Sequence, residues 1–159
     1  MRLGFHFQGK IRYNRPMSES IFRHPYRVTY ADCTIGNHIY YARYLNLLEA
    51  ARGEFCRHIG QPVLELQTAG VLFPVIECRL RYRSPARYDD VLTIELWLIE
   101  LARVRLTFEY RILGPDGREL LNATTMHACT GIDDKPRRLP EGLTAALGPY
   151  VHRTNRPLT

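Results

Sequence analysis

Between Tyr30 and Tyr44 the chain reads YADCTIGNHIYYARY. This stretch gathers a carboxylate (Asp32), a thiol (Cys33), a hydroxyl (Thr34), an amide (Asn37), an imidazole (His38) and the tyrosines Tyr30, Tyr40, Tyr41 and Tyr44. A loop carboxylate or imidazole can activate water or act as a nucleophile. A helix starting just behind it would aim unpaired N–H groups and a partial positive charge at an oxygen that gains charge. A second carboxylate, Glu49, lies inside that helical pattern. Each group also has a plain structural role. Asp32 can brace the loop, Asn37 can set a turn, and the tyrosines can build core. Glu49 can pair with Arg52 at i+3 or with Arg43.

The elements that would position these groups follow from hydrophobic period. Phe22–Ala31 alternates through Tyr26, Val28 and Tyr30 and predicts a first strand. Tyr44, Leu48, Ala51, Phe55 and Ile59 form one stripe of a helix over Ala42–Ile59, widened by Leu45 and Leu47. Gly60 and Pro62 stop it. A short segment, Pro62–Ala69, precedes further alternation. In Val71–Arg83, Leu72, Ile76, Cys78, Leu80 and Tyr82 share one face, and Glu77, Arg79, Arg81 and Arg83 the other. Val91–Leu101 and Val104–Ile112 alternate on either side of a turn near Ala102. GPDG at 114–117 is a hairpin signal, followed by a long strand over Arg118–Ile132 and a short helix over Leu143–Tyr150. The order is one strand, one long helix and four strands. It predicts an α+β layer with the helix against a five-stranded antiparallel sheet. Such a sheet leaves an outer face and edges that a second copy would cover.

Bulk composition is that of an ordinary globular chain. The 159 residues are 45% apolar and 24% charged, and fit one domain over 21–159. Residues 1–20, with four basic residues before the first acid, read as a loose extension, with Met17 as an alternative start. No run is long and apolar enough to span a membrane. The net charge of +6 comes from arginine, whose planar fork suits phosphate. Nucleic-acid binding has only that charge behind it, with no aromatic reading pattern or helix-turn-helix spacing. Cys33, Cys56, Cys78 and Cys129 show neither CxxC nor zinc spacing, so reduced thiols in a cytoplasmic protein and no metal site are expected.

Several stretches together resemble one family. A strand ending in YADC, a loop, and ARYLNLLEAARGEF with Tyr44, Glu49 and Arg52 are similar to the hotdog-fold acyl-CoA thioesterases. The branch is that of 4-hydroxybenzoyl-CoA thioesterase and the Tol-Pal-associated thioesterases. RSPARYDDVLTIE at 83–95 and the DDKPRRLP end share in the likeness, which spans roughly residues 22–140. The resemblance implies a helix wrapped by a curved sheet, a homodimer or homotetramer with active sites at the interface, and no cofactor beyond the CoA substrate. It implies that a backbone N–H at Tyr41, or at its neighbour Tyr40, polarises the thioester carbonyl. It places Arg103 and Arg105, then Lys135, Arg137 and Arg138, near the CoA phosphates.

The chain departs from that branch at one position. The branch's loop reads Asp-x-Asp with the second Asp catalytic; here the first is Asp32 and the second falls on Thr34. Asp32, Glu49 and His38 remain as alternative bases, with Thr34 able to orient water or bind the thioester oxygen. Asn37 and Tyr44 are candidates for the acyl pocket. A non-hydrolytic acyl-thioester binder on the same fold is the competing expectation.

Overall fold

The structure, a computed structural model, describes residues 20–152. The expectation of a loose extension over 1–20 falls outside that range except at Ser20. Ser20 is buried, with its hydroxyl 2.6 Å from Nε2 of His152.

Strand β1 (Phe22–Arg27) leads through a short 3-10 turn (Tyr30–Asp32) and a loop into helix α1 (Arg43–His58). Helix α2 (Val63–Thr68) follows, then β2 (Val75–Tyr82), β3 (Val91–Leu101), β4 (Arg105–Leu113), β5 (Glu119–Ala128) and α3 (Glu141–Leu147). The strands form one antiparallel sheet in the order β1-β3-β4-β5-β2. Register shifts at Val75/Glu77, Leu98/Glu100 and Ile112/Leu113 bend it, as an extra residue in one strand does. The result is the expected curved sheet holding one long helix.

Alternation explains why the core lies where it does. Leu92, Ile94, Leu96 and Leu98 of β3 and Leu106, Phe108, Tyr110 and Ile112 of β4 point inward and are buried. Tyr44, Leu47, Leu48, Ala51 and Phe55 of α1 meet them. Phe55 is the centre of this contact, with its ring 6.0 Å from Phe108, 5.5 Å from Phe22 and 4.8 Å from Tyr150.

Local chemistry corrects several expected boundaries. β1 ends at Arg27 rather than Ala31, because Thr29 and Asp32 cap each other and turn the chain. Leu45 does not widen the buried stripe; it is exposed. Val104 belongs to the turn between β3 and β4 and is exposed too. β5 stops at Ala128 because Gly131 and Lys135 close a turn, with Asp134 at a left-handed φ of 59°. The last helix ends at Leu147 and continues as a 3-10 turn to Tyr150. The largest departure is β2. Ile76, Cys78 and Tyr82 were expected on a buried face, yet they are exposed, since β2 is the last strand of the sheet.

Candidate active site

The loop ahead of α1 is a small closed ring. Cys33 and Ile39 pair as an isolated bridge, and Thr34 N–H donates to the His38 carbonyl at 2.8 Å. Asn37 sits at φ 54°, which an asparagine tolerates, and its side-chain oxygen accepts the Tyr88 N–H at 3.1 Å. Ile35 is fully exposed at the tip. Thr34 and His38 are exposed on the same ring, and the Thr34 hydroxyl donates to the His38 carbonyl at 3.3 Å.

Asp32 stands behind this ring. One of its oxygens, Oδ2, accepts from Thr29 N–H, the Thr29 hydroxyl and the Tyr26 hydroxyl, each at 2.8 Å. Burial alone would raise its pKa. The bonds from Thr29 and Tyr26 and the charge of Arg43 outweigh burial and hold the carboxyl below its usual range. A carboxylate so satisfied is a poor proton acceptor and a good brace.

The two candidate oxyanion donors differ. Tyr40 N–H is already bonded to the Asp32 carbonyl at 2.8 Å. Tyr41 N–H has no partner among the described residues, and it lies just ahead of the first helical residue, Arg43. That makes Tyr41 the donor open to a substrate oxygen. Tyr44, one turn on, is buried and accepts the Ala86 N–H at 3.3 Å through its hydroxyl.

Glu49 is in a different setting. It is exposed at the mouth of a cavity of about 600 Å³ that runs along α1 and is lined by Arg52, Val71, Phe73, Phe108, His127 and Leu147 among others. Neither Arg52 nor Arg43 pairs with Glu49, which has no hydrogen-bond or ion-pair partner among the described residues. Neither Asn37 nor Tyr44 lines this cavity.

The cavity wall holds a residue that sequence reasoning missed. His127 is 1% exposed, with Nε2 2.8 Å from the Thr125 hydroxyl and Nδ1 3.2 Å from the Phe73 carbonyl. Burial, then the nearby Arg52 charge, pushes its pKa from 6.5 down to about 4, so it is neutral at neutral pH. The available signal was parity: Leu121, Ala123, Thr125 and His127 are successive inward positions of β5.

The arginines divide into engaged and open. Arg105 forms a two-pronged ion pair with Glu100, which also accepts the Thr107 hydroxyl at 2.9 Å. Arg137 donates to the Ala69 and Gly70 carbonyls, and Lys135 stands 3.7 Å from Asp133. Arg103 and Arg138 are exposed with no side-chain partner among the described residues. The Leu139 N–H, bonded to the Arg103 carbonyl at 2.9 Å, brings their two turns together. Among the described residues, no cluster of His, Cys, Asp or Glu could hold a metal, and no helix is long and apolar enough to cross a membrane.

Comparison with known proteins places the fold in a family. Residues 28–147 match the family model of the thioesterase-like superfamily. The acyl-CoA thioester hydrolase YbgC of Escherichia coli is 33% identical over 130 residues, covering 81% of this chain and 97% of that protein. A hypothetical protein of Thermus thermophilus superposes with a TM-score of 0.75 at 32% identity, covering 80% of this chain and 98% of its own. A probable thioesterase of Bartonella henselae gives 0.71 at 31%, covering 76% and 99%.

Proposed function

The chain belongs to the thioesterase-like superfamily, and from that membership we propose that it hydrolyses an acyl-CoA thioester to the free acid and CoA. The observation that carries this reading is on one helix. Its start presents the unspent Tyr41 N–H, and its middle presents the unpartnered Glu49 at a cavity mouth. Tyr41 N–H polarises the thioester carbonyl and holds the oxygen as charge develops there. Glu49 activates water or attacks the carbonyl carbon. Asp32 is the brace that fixes the loop, and neither Thr34 nor His38 serves as base. The reaction consumes water alone and needs no metal or redox cofactor.

Glu49 lies eight positions beyond Tyr41, the last six of them along α1, which is about 9 Å of helix axis. One thioester carbon cannot meet both within a single copy. The pair therefore acts across an interface, with Glu49 supplied by a second copy. The open edge of β2 gives that copy a place to join the sheet. Arg103 and Arg138 meet the CoA phosphates.

The test is release of free thiol from a panel of acyl-CoA substrates, followed with a thiol dye. Glu49→Gln is expected to lower kcat by about 10²–10⁴-fold. Full activity in that variant would end this assignment of the base. A second reading, a non-hydrolytic acyl-thioester binder, is favoured by Thr34 standing where the resembled branch carries its catalytic acid. Acyl-CoA that raises the Tm with no thiol released would select it.

A further inference from the structure

The cavity along α1 contains more than Glu49. Arg52 lies one turn further along the helix and reaches inward, its Nη1 donating to the Tyr110 hydroxyl oxygen at 3.1 Å. Tyr110 is fully buried. The direction of every bond beyond it is fixed by chemistry. A guanidinium can only donate, and the Phe73 carbonyl can only accept. His127 therefore carries its proton on Nδ1 and gives it to Phe73, leaving Nε2 as acceptor for the Thr125 hydroxyl. Thr125 then accepts the Tyr110 proton at 3.2 Å. The chain runs Arg52 to Tyr110 to Thr125 to His127 to Phe73, and each link uses up its donor.

Two consequences follow. Tyr110, Thr125 and His127 have no proton left to offer a ligand, and neutral His127 adds no charge. Arg52 keeps four of its five N–H donors and has no carboxylate partner among the described residues. The deep lining is apolar, from Leu66, Val71, Phe73, Phe108, Leu143 and Leu147; the polar lining includes Glu49, and Arg57 paired with Glu54 at 2.6 Å. A space of about 600 Å³ is within the usual range for a small-molecule site. Arg57 is already held by Glu54, so Arg52 is the guanidinium of this lining open to an acidic group, and the apolar residues give a place for that group's body.

We propose that this cavity binds a carboxylate with an apolar body, the carboxylate on Arg52 and the body among the apolar residues of β4, α2 and α3. Such a group has two sources. It is the acid that the proposed hydrolysis releases, or the far end of an acyl thioester that carries a second carboxylate. Only the source rests on the thioesterase reading; the site itself does not.

Octanoate, octanoyl-CoA and suberyl-CoA separate the two. Titration calorimetry with octanoate needs no turnover, so it answers even if no acyl-CoA is hydrolysed. Wild-type protein is expected either to bind octanoate or to prefer suberyl-CoA over octanoyl-CoA in kcat/KM. The first result identifies released acid as the ligand, and the second a dicarboxylic thioester. In either case Arg52→Gln is expected to weaken the effect about tenfold or more, the loss of a charge-assisted bond. Arg52→Lys, which keeps charge but not the fork, should fall between. Ala50→Trp is a second, independent variant. Ala50 lines the mouth from the exposed face of α1, so the indole plugs the cavity without entering the core. It should abolish octanoate binding. No octanoate binding together with no preference for suberyl-CoA would overturn the proposal, as would an effect unchanged by Arg52→Gln or octanoate binding unchanged by Ala50→Trp.

Discussion

Asp32 stands ahead of α1 and Glu49 on it, and the two carboxylates have opposite surroundings. Asp32 has three donors on one oxygen and a lowered pKa. Its folded form binds its proton more weakly than the unfolded chain does, so it stabilises the fold above the ordinary pKa of 3.8. That contribution disappears as pH falls through the lower folded value. Asp32→Asn is expected to cost about 1–3 kcal/mol in urea unfolding while folded protein keeps its turnover. Equal stability with lost turnover would return the base to Asp32. His127 titrates in a higher window. Its pKa is depressed from 6.5 to about 4, so the unfolded chain binds the extra proton between those values. Stability is therefore full above pH 6.5 and falls by about 3 kcal/mol as pH drops to 4. His127→Gln should flatten this part of the profile; a parallel slope in wild type and variant would show that another group titrates.

At the scale of elements, period and punctuation carried most of the information. The α1 stripe and the inward faces of β3 and β4 are as the alternation implied, and GPDG closes its hairpin with Gly117 at φ 76°. Phe55 joins α1 to β1, β4 and the last turn at once, so Phe55→Ala should cost about 3–5 kcal/mol in denaturant unfolding. A cost below about 1 kcal/mol would mean that the helix is not held through this ring. Boundaries were less legible, for local reasons. The end of β1 depends on Asp32 turning back to Thr29, which competes with the strand ladder. His127 was hidden because β5 mixes Thr, Ala, Met and His, so neither of its faces reads as apolar.

At the scale of the whole molecule, β2 sets the problem. It is paired on one side only, and Val75, Ile76 and Tyr82 stand exposed along it. An open edge with apolar side chains favours pairing with another chain. Ile76→Lys, an exposed position of β2, is expected to shift sedimentation toward the monomer, since a charge on an open edge opposes strand pairing. Thiol release should fall with it if, as proposed, Tyr41 and Glu49 act from different copies. A monomeric variant with full turnover would end the pairing of Tyr41 with Glu49.

The sequence by itself determined the order of the five strands and the long helix, which rests on period and turn residues, and the family with its curved sheet, which rests on the motifs that resemble it. It also brought Tyr41, Asp32 and Glu49 into question. Only the tertiary structure separates their surroundings, because which donors reach a carboxylate depends on their positions in space. Thr29 and Tyr26 satisfy Asp32, whereas Glu49 is left open on a cavity. The relay from Arg52 to Phe73 joins α1, β4, β5 and the segment before β2, so no stretch of sequence contains it.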